Sequence, residues 1–429
     1  MHLRRPARAV GLGFDIEAWP VAMSSSINPL SRTLLAGQIE AQEGRFPSEA
    51  AFPEAEYAER LARVRRSMQD AGLDLLLVHS LPNICYLTGY QTPLSDWYHC
   101  LIVPSSGALT LQVCDTELAR VNTYVDQIVP ALWEHTDDAA DELVRLVDAQ
   151  GVRAGRIGVE LKRSGLTPHL FNQLRATLPH CDFVDASTLV LSVRVVKSSL
   201  EIQCLRQAGR YSAIGIEAAL AAIRPGVTDN ALTAAASAAM TEAGSEYFSI
   251  DPIVRAGWRA GVIHATCKRQ VISPGETIFM EFGGIYQRYC APLLRTAVIG
   301  PPSDQVRKLA DQSLATLGHL FEEIRPGRTI DDVVQSTLSK TPPLQGATRT
   351  RGYFGYSVGI SFPPVWVEHS LSLLEGSTEV LRPNMVFHTH RSLRIPAQLS
   401  VSFSETILVT ETGCEPLAGY PRELCVVPS

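Results

Sequence analysis

Residues 274–296 read PGETIFMEFGGIYQRYCAPLLRT. Ile278, Phe279, Met280 and Phe282 form an apolar run of strand character, interrupted by a single carboxylate, Glu281. Gly283 and Gly284 follow and are expected to break the run, so that the stretch forms a strand, a turn and a second strand. A carboxylate inside a core strand is costly unless it is paired or used. Alternation alone also allows Glu281 to point to solvent from a half-buried strand.

A second stretch favours use. Residues 381–392 read LRPNMVFHTHRS. Pro274 precedes Glu281 by the same seven residues that separate Pro383 from His390. The segments ahead of these strands repeat as well, AIRPGVTDNAL from Ala222 and EIRPGRTIDDV from Glu323. Two repeats in the same order imply two copies of one helix-plus-strand unit. Glu281 and His390 then occupy equivalent places beside a cleft at a pseudo-two-fold axis.

Working outward, Glu54 to Gly72 reads as an amphipathic helix, with Tyr57, Leu61, Val64 and Met68 on one face. Strands are expected at Asp74–His79, Cys100–Val103, Leu109–Val113 and Arg156–Leu161, and helices at Ala139–Ala149 and Leu166–Leu178. This alternation describes an α/β domain. From Ser198 the texture changes to long helices followed by sheet, twice, which is α+β. Ser199, Thr228 or Asp229, and Ser303 or Asp304 are the expected helix caps. The expected domains are an extension over 1–50, an N-terminal domain over 51–195 and a catalytic domain over 196–429. The extension is expected to be loosely packed, and Met23 is an alternative start to Met1.

Composition narrows the function. The chain has 429 residues, 45% of them hydrophobic, and a formal net charge of −6, which argues against a general nucleic-acid binder. No apolar run is long enough to span a bilayer. Nine cysteines without a CxxC pair fit reduced thiols and a cytoplasmic location better than a disulfide framework.

The residues carry a family likeness over Tyr57 to Leu417. YAERLARVRRSMQDAGLDLLLVHSLPNICYLTGY, KSSLEIQCLRQAG, RTAVIG and SETILVTETGCEPL resemble segments of the creatinase/aminopeptidase P/prolidase family. The resemblance implies a pita-bread catalytic domain, preceded by a smaller creatinase-type α/β domain. It also implies a homodimer in which the partner's N-terminal domain lids the active site. Most members of the family bind two metal ions through two aspartates, a histidine and two glutamates. Carried over by position, those places hold Glu281, Pro292, Tyr356, His390 and Glu405, the last being the one ligand expected to be retained. Proline offers no side-chain ligand and tyrosine a poor one, so the set suits at most a single zinc, and no cofactor is expected.

Creatinase and ectoine hydrolase form the branch of the family that works without metal, and the likeness to ectoine hydrolase is the closer. It rests on FMEFGGIYQRYCAPLLRT, on GYSVGISFPPVW and on His388. Val365, Val367, His369 and the RSLRIPAQLSVS segment depart from the expected pattern at positions that bear on the pocket.

His264, in AGVIHATC, matches the family's catalytic histidine and suits proton transfer near neutrality. Glu281 is a candidate nucleophile, a base for water or an anchor for a cationic group, and Glu405 a candidate for the last two roles. His390 is a candidate second acid/base. Tyr356 either donates a hydrogen bond or packs at the cleft floor. Arg351 and Arg391 are candidates for binding a substrate carboxylate. Trp97, Tyr98 and His99 either reach across to a partner's site or pack on their own domain. The expected activity is hydrolysis of a C–N bond in a small zwitterionic compound, with neither nucleic acid nor membrane as a partner. A metallopeptidase of the Xaa-Pro type and a non-catalytic binding protein on the same fold are the alternatives.

Overall fold

The computed structural model describes residues 48–131, 136–152, 154–162, 165–344, 346–347 and 352–429. The expected N-terminal extension lies almost wholly outside them, and Arg351 lies outside them too. The N-terminal part runs α1 (Glu54–Asp70), β1 (Leu75–Val78), α2 (Leu81–Thr88), β2 (His99–Pro104), β3 (Thr110–Val113), α3 (Thr116–Asn122) and β4 (Gln127–Pro130). It continues with α4 (Thr136–Ala149), β5 (Arg156–Val159), α5 (Pro168–Thr177), β6 (Asp182–Asp185) and α6 (Leu189–Arg194). Its six strands form one mixed sheet in the order β4-β3-β2-β1-β5-β6. Both faces of β1, β2 and β3 are buried, as expected of strands sandwiched between helices.

The second part opens with α7 (Ser199–Ala222), α8 (Asp229–Glu242), β7 (Ile253–Ala256) and the short α9 (Gly257–Ala260). The hairpin β8 (Thr277–Tyr286) and β9 (Tyr289–Ile299) follows, then α10 (Asp304–Glu323) and α11 (Ile330–Lys340). The chain closes with β10 (Tyr353–Phe362), β11 (Val365–Leu374), β12 (Val386–Ile395), β13 (Leu399–Val409), β14 (Cys414–Pro416) and β15 (Cys425–Val427). One sheet runs β14-β13-β12-β10-β9-β8-β7, with β11 on β10 and β15 on β9. It curls so that β9 also meets β13: Thr406 Oγ1 donates to the Pro292 carbonyl, and Thr296 Oγ1 to that of Ser402 (both 2.8 Å).

The repeat expected from sequence is present in three dimensions. Gly226 and Gly327 hold the matching RPG turns at φ +81° and +85°, a region open to glycine. Thr228 bridges to Val271, and Thr329 bridges to Val380. Each of those threonines caps the helix that follows it.

Two local expectations are corrected. Ser198, not Ser199, caps α7, in a reciprocal capping box with Glu201. Gly283 and Gly284 do not break β8, which runs through both to Tyr286; the turn is Gln287-Arg288, both at positive φ. The glycines are there for close approach. A Cβ on Gly284 would stand 2.4 Å from the Ala208 carbonyl oxygen of α7, and one on Gly283 would meet Trp366 and Cys290 at 2.8 Å.

Candidate active site

Strand alternation sets the site. Glu281 pairs with Ile253 on one side and Leu294 on the other, so the three side chains share one face of the sheet. On β12, His388, His390, Ser392 and Arg394 alternate onto the matching face. That face walls a cavity of about 600 Å³. Ile250, Ile253, Phe279, Leu294 and Trp366 give it apolar sides, and His264, Glu281, Tyr356, His390, Arg255 and Arg394 bring polar atoms to it.

Glu281 is the one carboxylate on the cavity wall among the described residues. Burial pushes its carboxyl up to about 7, against the opposing pull of Arg255. Beneath it lies a chain of hydrogen bonds. Trp366 Nε1–H donates to Tyr356 Oη (2.8 Å), which faces His388 Nδ1 at 2.9 Å. His388 Nε2 is 2.8 Å from Ser404 Oγ and 4.0 Å from Glu281 Oε1. The indole only donates, so Tyr356 Oη accepts from it, and each ring nitrogen of His388 meets a hydroxyl that can donate or accept. Burial keeps His388 well below the usual histidine range, and so uncharged. His390 is pulled down to about 4 by burial, with Arg391 and His264 adding repulsion. Burial, then the nearby Glu281, holds the Tyr356 phenol well above its ordinary value, so it stays protonated.

His264 sits on the exposed rim, in the segment between α9 and β8, with φ +56°, unusual for a residue with a side chain. Three arginines hold that segment. Arg255 donates to the Val262 carbonyl, Arg394 to that of Gly261 (3.4 Å) and Arg259 to that of Thr266 (2.5 Å).

Several expected site residues are placed elsewhere. Glu405 pairs in register with Thr389 while Ser404 pairs with His390, so Glu405 projects from the opposite face of the sheet. There its carboxylate meets Arg295 Nη2 at 2.6 Å, and it does not border the cavity. Ser404 occupies the position facing the site. Arg391 borders the cavity, but its guanidinium lies 5.2 Å from the Phe354 ring centroid, on the sheet's helix-covered side. Tyr98 and His99 are buried in their own domain. Tyr98 Oη donates to Gln112 (2.7 Å), and the His99 ring lies tilted against that of Tyr90, with centroids 5.6 Å apart. Trp97, beside them, is half-buried and is not on the cavity wall.

Residues 203–411 match metallopeptidase family M24, and residues 60–196 match the creatinase/prolidase N-terminal domain. An uncharacterized hydrolase/peptidase of Sinorhizobium fredii is 30% identical over 397 residues, covering 88% of this chain and 98% of that protein. The chain belongs to the M24 family. The ectoine hydrolase of Halomonas elongata is a relative at 29% identity, covering 87% of this chain and 98% of the relative. The prolidase of Pyrococcus horikoshii has the same fold, with a TM-score of 0.74 at 21% identity over 85% of this chain and 99% of that one. Both parts of the expected architecture therefore hold: this M24 hydrolase has a creatinase-type domain ahead of a pita-bread domain.

The two-metal donor set usual for M24 enzymes does not fit these residues. Pro292 stands opposite Gly283 with no donor to offer. Tyr356 Oη is engaged by Trp366 and His388, and Glu405 faces away. Among the described residues, no group of three or more His, Cys, Asp and Glu side chains could hold a metal ion.

Arg255, Trp366, His388, Arg394 and Ser404 were not singled out as site residues from sequence. Period-two counting from His390 reaches His388 and Arg394 and could have found both. Arg255 and Ser404 depend on strand register, which one sequence does not reveal.

Proposed function

We propose that this M24 enzyme hydrolyses a non-peptide C–N bond in a small zwitterionic compound without a metal ion, the substrate being an ectoine-like cyclic amidine or a creatine-like guanidino acid. The observation that carries this reading is Glu281. It is a lone carboxyl in a largely apolar cavity, titrating near 7, at a site where three of the other metal-ligand positions hold Pro292, Tyr356 and His390 and the last, Glu405, lies on the opposite face of the sheet. Its ionised form attracts an amidinium or guanidinium, and at neutral pH both of its forms are populated.

In the reaction, an oxygen bonds to the amidine carbon, the C–N bond breaks, and its electron pair stays on nitrogen, which takes up a proton. For a cyclic amidine and water the products are an amide and an amine on one opened chain. Glu281 either attacks the carbon itself, to be released by water, or draws the proton from an attacking water. His264, on the rim with access to solvent, delivers the proton to the leaving nitrogen. His390 and His388, held neutral by burial, act as hydrogen-bonding walls rather than as stores of charge. Water exclusion by the apolar walls strengthens each of these polar contacts.

Proton NMR of ectoine and of creatine, with enzyme assayed in chelator and then with added manganese or zinc, tests the proposal. Turnover in chelator is expected, with Glu281→Gln and His264→Ala each losing at least about a hundredfold in kcat. Turnover that appears only with added metal, or that survives both substitutions, would overturn it.

A further inference from the structure

The cavity holds more fixed positive charge than a cationic substrate head would tolerate alone. Arg255 and Glu281 share a face of the sheet, and Arg394 lies four residues beyond His390 on the same face of β12. The guanidinium groups of Arg255 and Arg394 converge. Each donates to one of two consecutive carbonyls, Val262 and Gly261, in the segment that carries His264. Both side chains border the cavity. Arg255 is 4% exposed, its guanidinium lies 3.8 Å from the Phe279 ring centroid, and its buried Nε–H has no partner among the described residues.

Two guanidiniums brought together in a poorly solvated place repel one another, and burial lowers both below their ordinary values. An orphaned buried donor costs free energy as well. One anionic group bound between them would relieve both costs. Carboxylate geometry matches the planar fork of arginine.

We propose that Arg255 and Arg394 form the subsite for the substrate's carboxylate, an assignment that rests on the zwitterionic substrate proposed above. The cationic head of the substrate then lies towards Glu281 and its carboxylate towards the Gly261-Val262 turn. Binding that carboxylate also tightens the segment carrying His264, because the same two side chains hold that segment in place. Substrates lacking the acid group would lose both affinity and a well-placed proton donor.

Binding of butanoate and of its uncharged analogue butanamide, followed by ligand-observed NMR with intact enzyme, tests the subsite apart from turnover. Butanoate is expected to bind and butanamide not to. Arg394→Met should weaken butanoate about ten- to a hundredfold, with Arg394→Lys recovering part of the loss and Glu281→Gln binding at least as well as the unaltered enzyme. Arg394 is half-buried, so its variants are expected to fold, with circular dichroism as the check. Equal binding of the two probes, binding of neither, or an Arg394→Met variant that binds butanoate normally would overturn the assignment. If butanoate binds through the arginines while no amidine or guanidino acid is turned over, the functional reading falls and the subsite stands. If ectoine is turned over with the same KM by Arg394→Met, the subsite falls and the functional reading stands.

Discussion

At the scale of single residues, Glu281 links function to stability. Its carboxyl, raised by burial to about 7 in the folded chain, titrates near 4.5 when the chain is unfolded. Below that lower value both states are protonated and nothing is lost. As pH rises from there to about 7, the unfolded state gives up its proton first, and the fold loses up to about 3 kcal/mol. Glu281→Gln removes that loss. Its melting temperature is expected to exceed that of the unaltered enzyme at pH 8 and to match it near pH 4.5, while activity is lost at both. A variant no more stable than the parent at pH 8 would show that the carboxylate is well solvated after all. Glu281 was legible in sequence because one charge in an apolar strand stands out. Glu405 misled, because a polar serine and a carboxylate lie next to each other in SFSET. A one-residue difference in register decides which of them faces the cavity, and only the pairing of Ser404 with His390 decides it.

At the scale of elements, the site depends on how closely α7 lies against β8. Gly284 allows that approach, and Ser212 Oγ uses it, accepting from the Gly284 N–H and donating to the Ala291 carbonyl (both 2.7 Å). Gly284→Ala would place a methyl against backbone that cannot turn aside, 2.4 Å from the Ala208 oxygen. A loss of about 2–4 kcal/mol is expected, read as a lower midpoint in urea at unchanged slope. An alanine variant with the parent's midpoint would mean that α7 can shift freely. The sequence announced two glycines but not their use, since a break in a strand and a close approach by a helix leave the same letters. Helices and hairpins were legible from periodicity, and the repeated RPG turns revealed the two-fold plan. The short α2 and α3 and the strands β4 and β6 were not: β4 and β6 lie partly exposed at the sheet's two edges and lack the continuous apolar run that marked β1 and β2, and one or two helical turns show no clear period.

At the scale of the whole molecule, the two sheets are joined by buried charge. Glu368, on the strand that also carries Trp366 into the cavity wall, accepts from Lys197 Nζ at 2.8 Å and pairs with Arg194 Nη2 at 3.1 Å. Arg194 also donates to Asn83 Oδ1 (2.6 Å), and Asn83 donates to Glu160 (2.5 Å), which takes the backbone N–H groups of His79 and Ser80. This line of contacts runs from the end of β5 in the first sheet to β11 in the second. Every member is buried or nearly so, hence deleting one carboxylate strands two cations away from water. Glu368→Ala is expected to cost about 3–5 kcal/mol, more than removing an exposed pair such as Arg145–Glu142, which should cost under about 1 kcal/mol. Because Trp366 and Tyr356 hang from the strands that Glu368 secures, the same variant should raise KM for the substrate even where it remains folded. Urea titrations of both variants, with KM measured below the unfolding transition, decide the matter. Equal losses for the buried and exposed pairs, with KM untouched, would mean that the apolar contacts between the two parts hold the cavity's shape unaided.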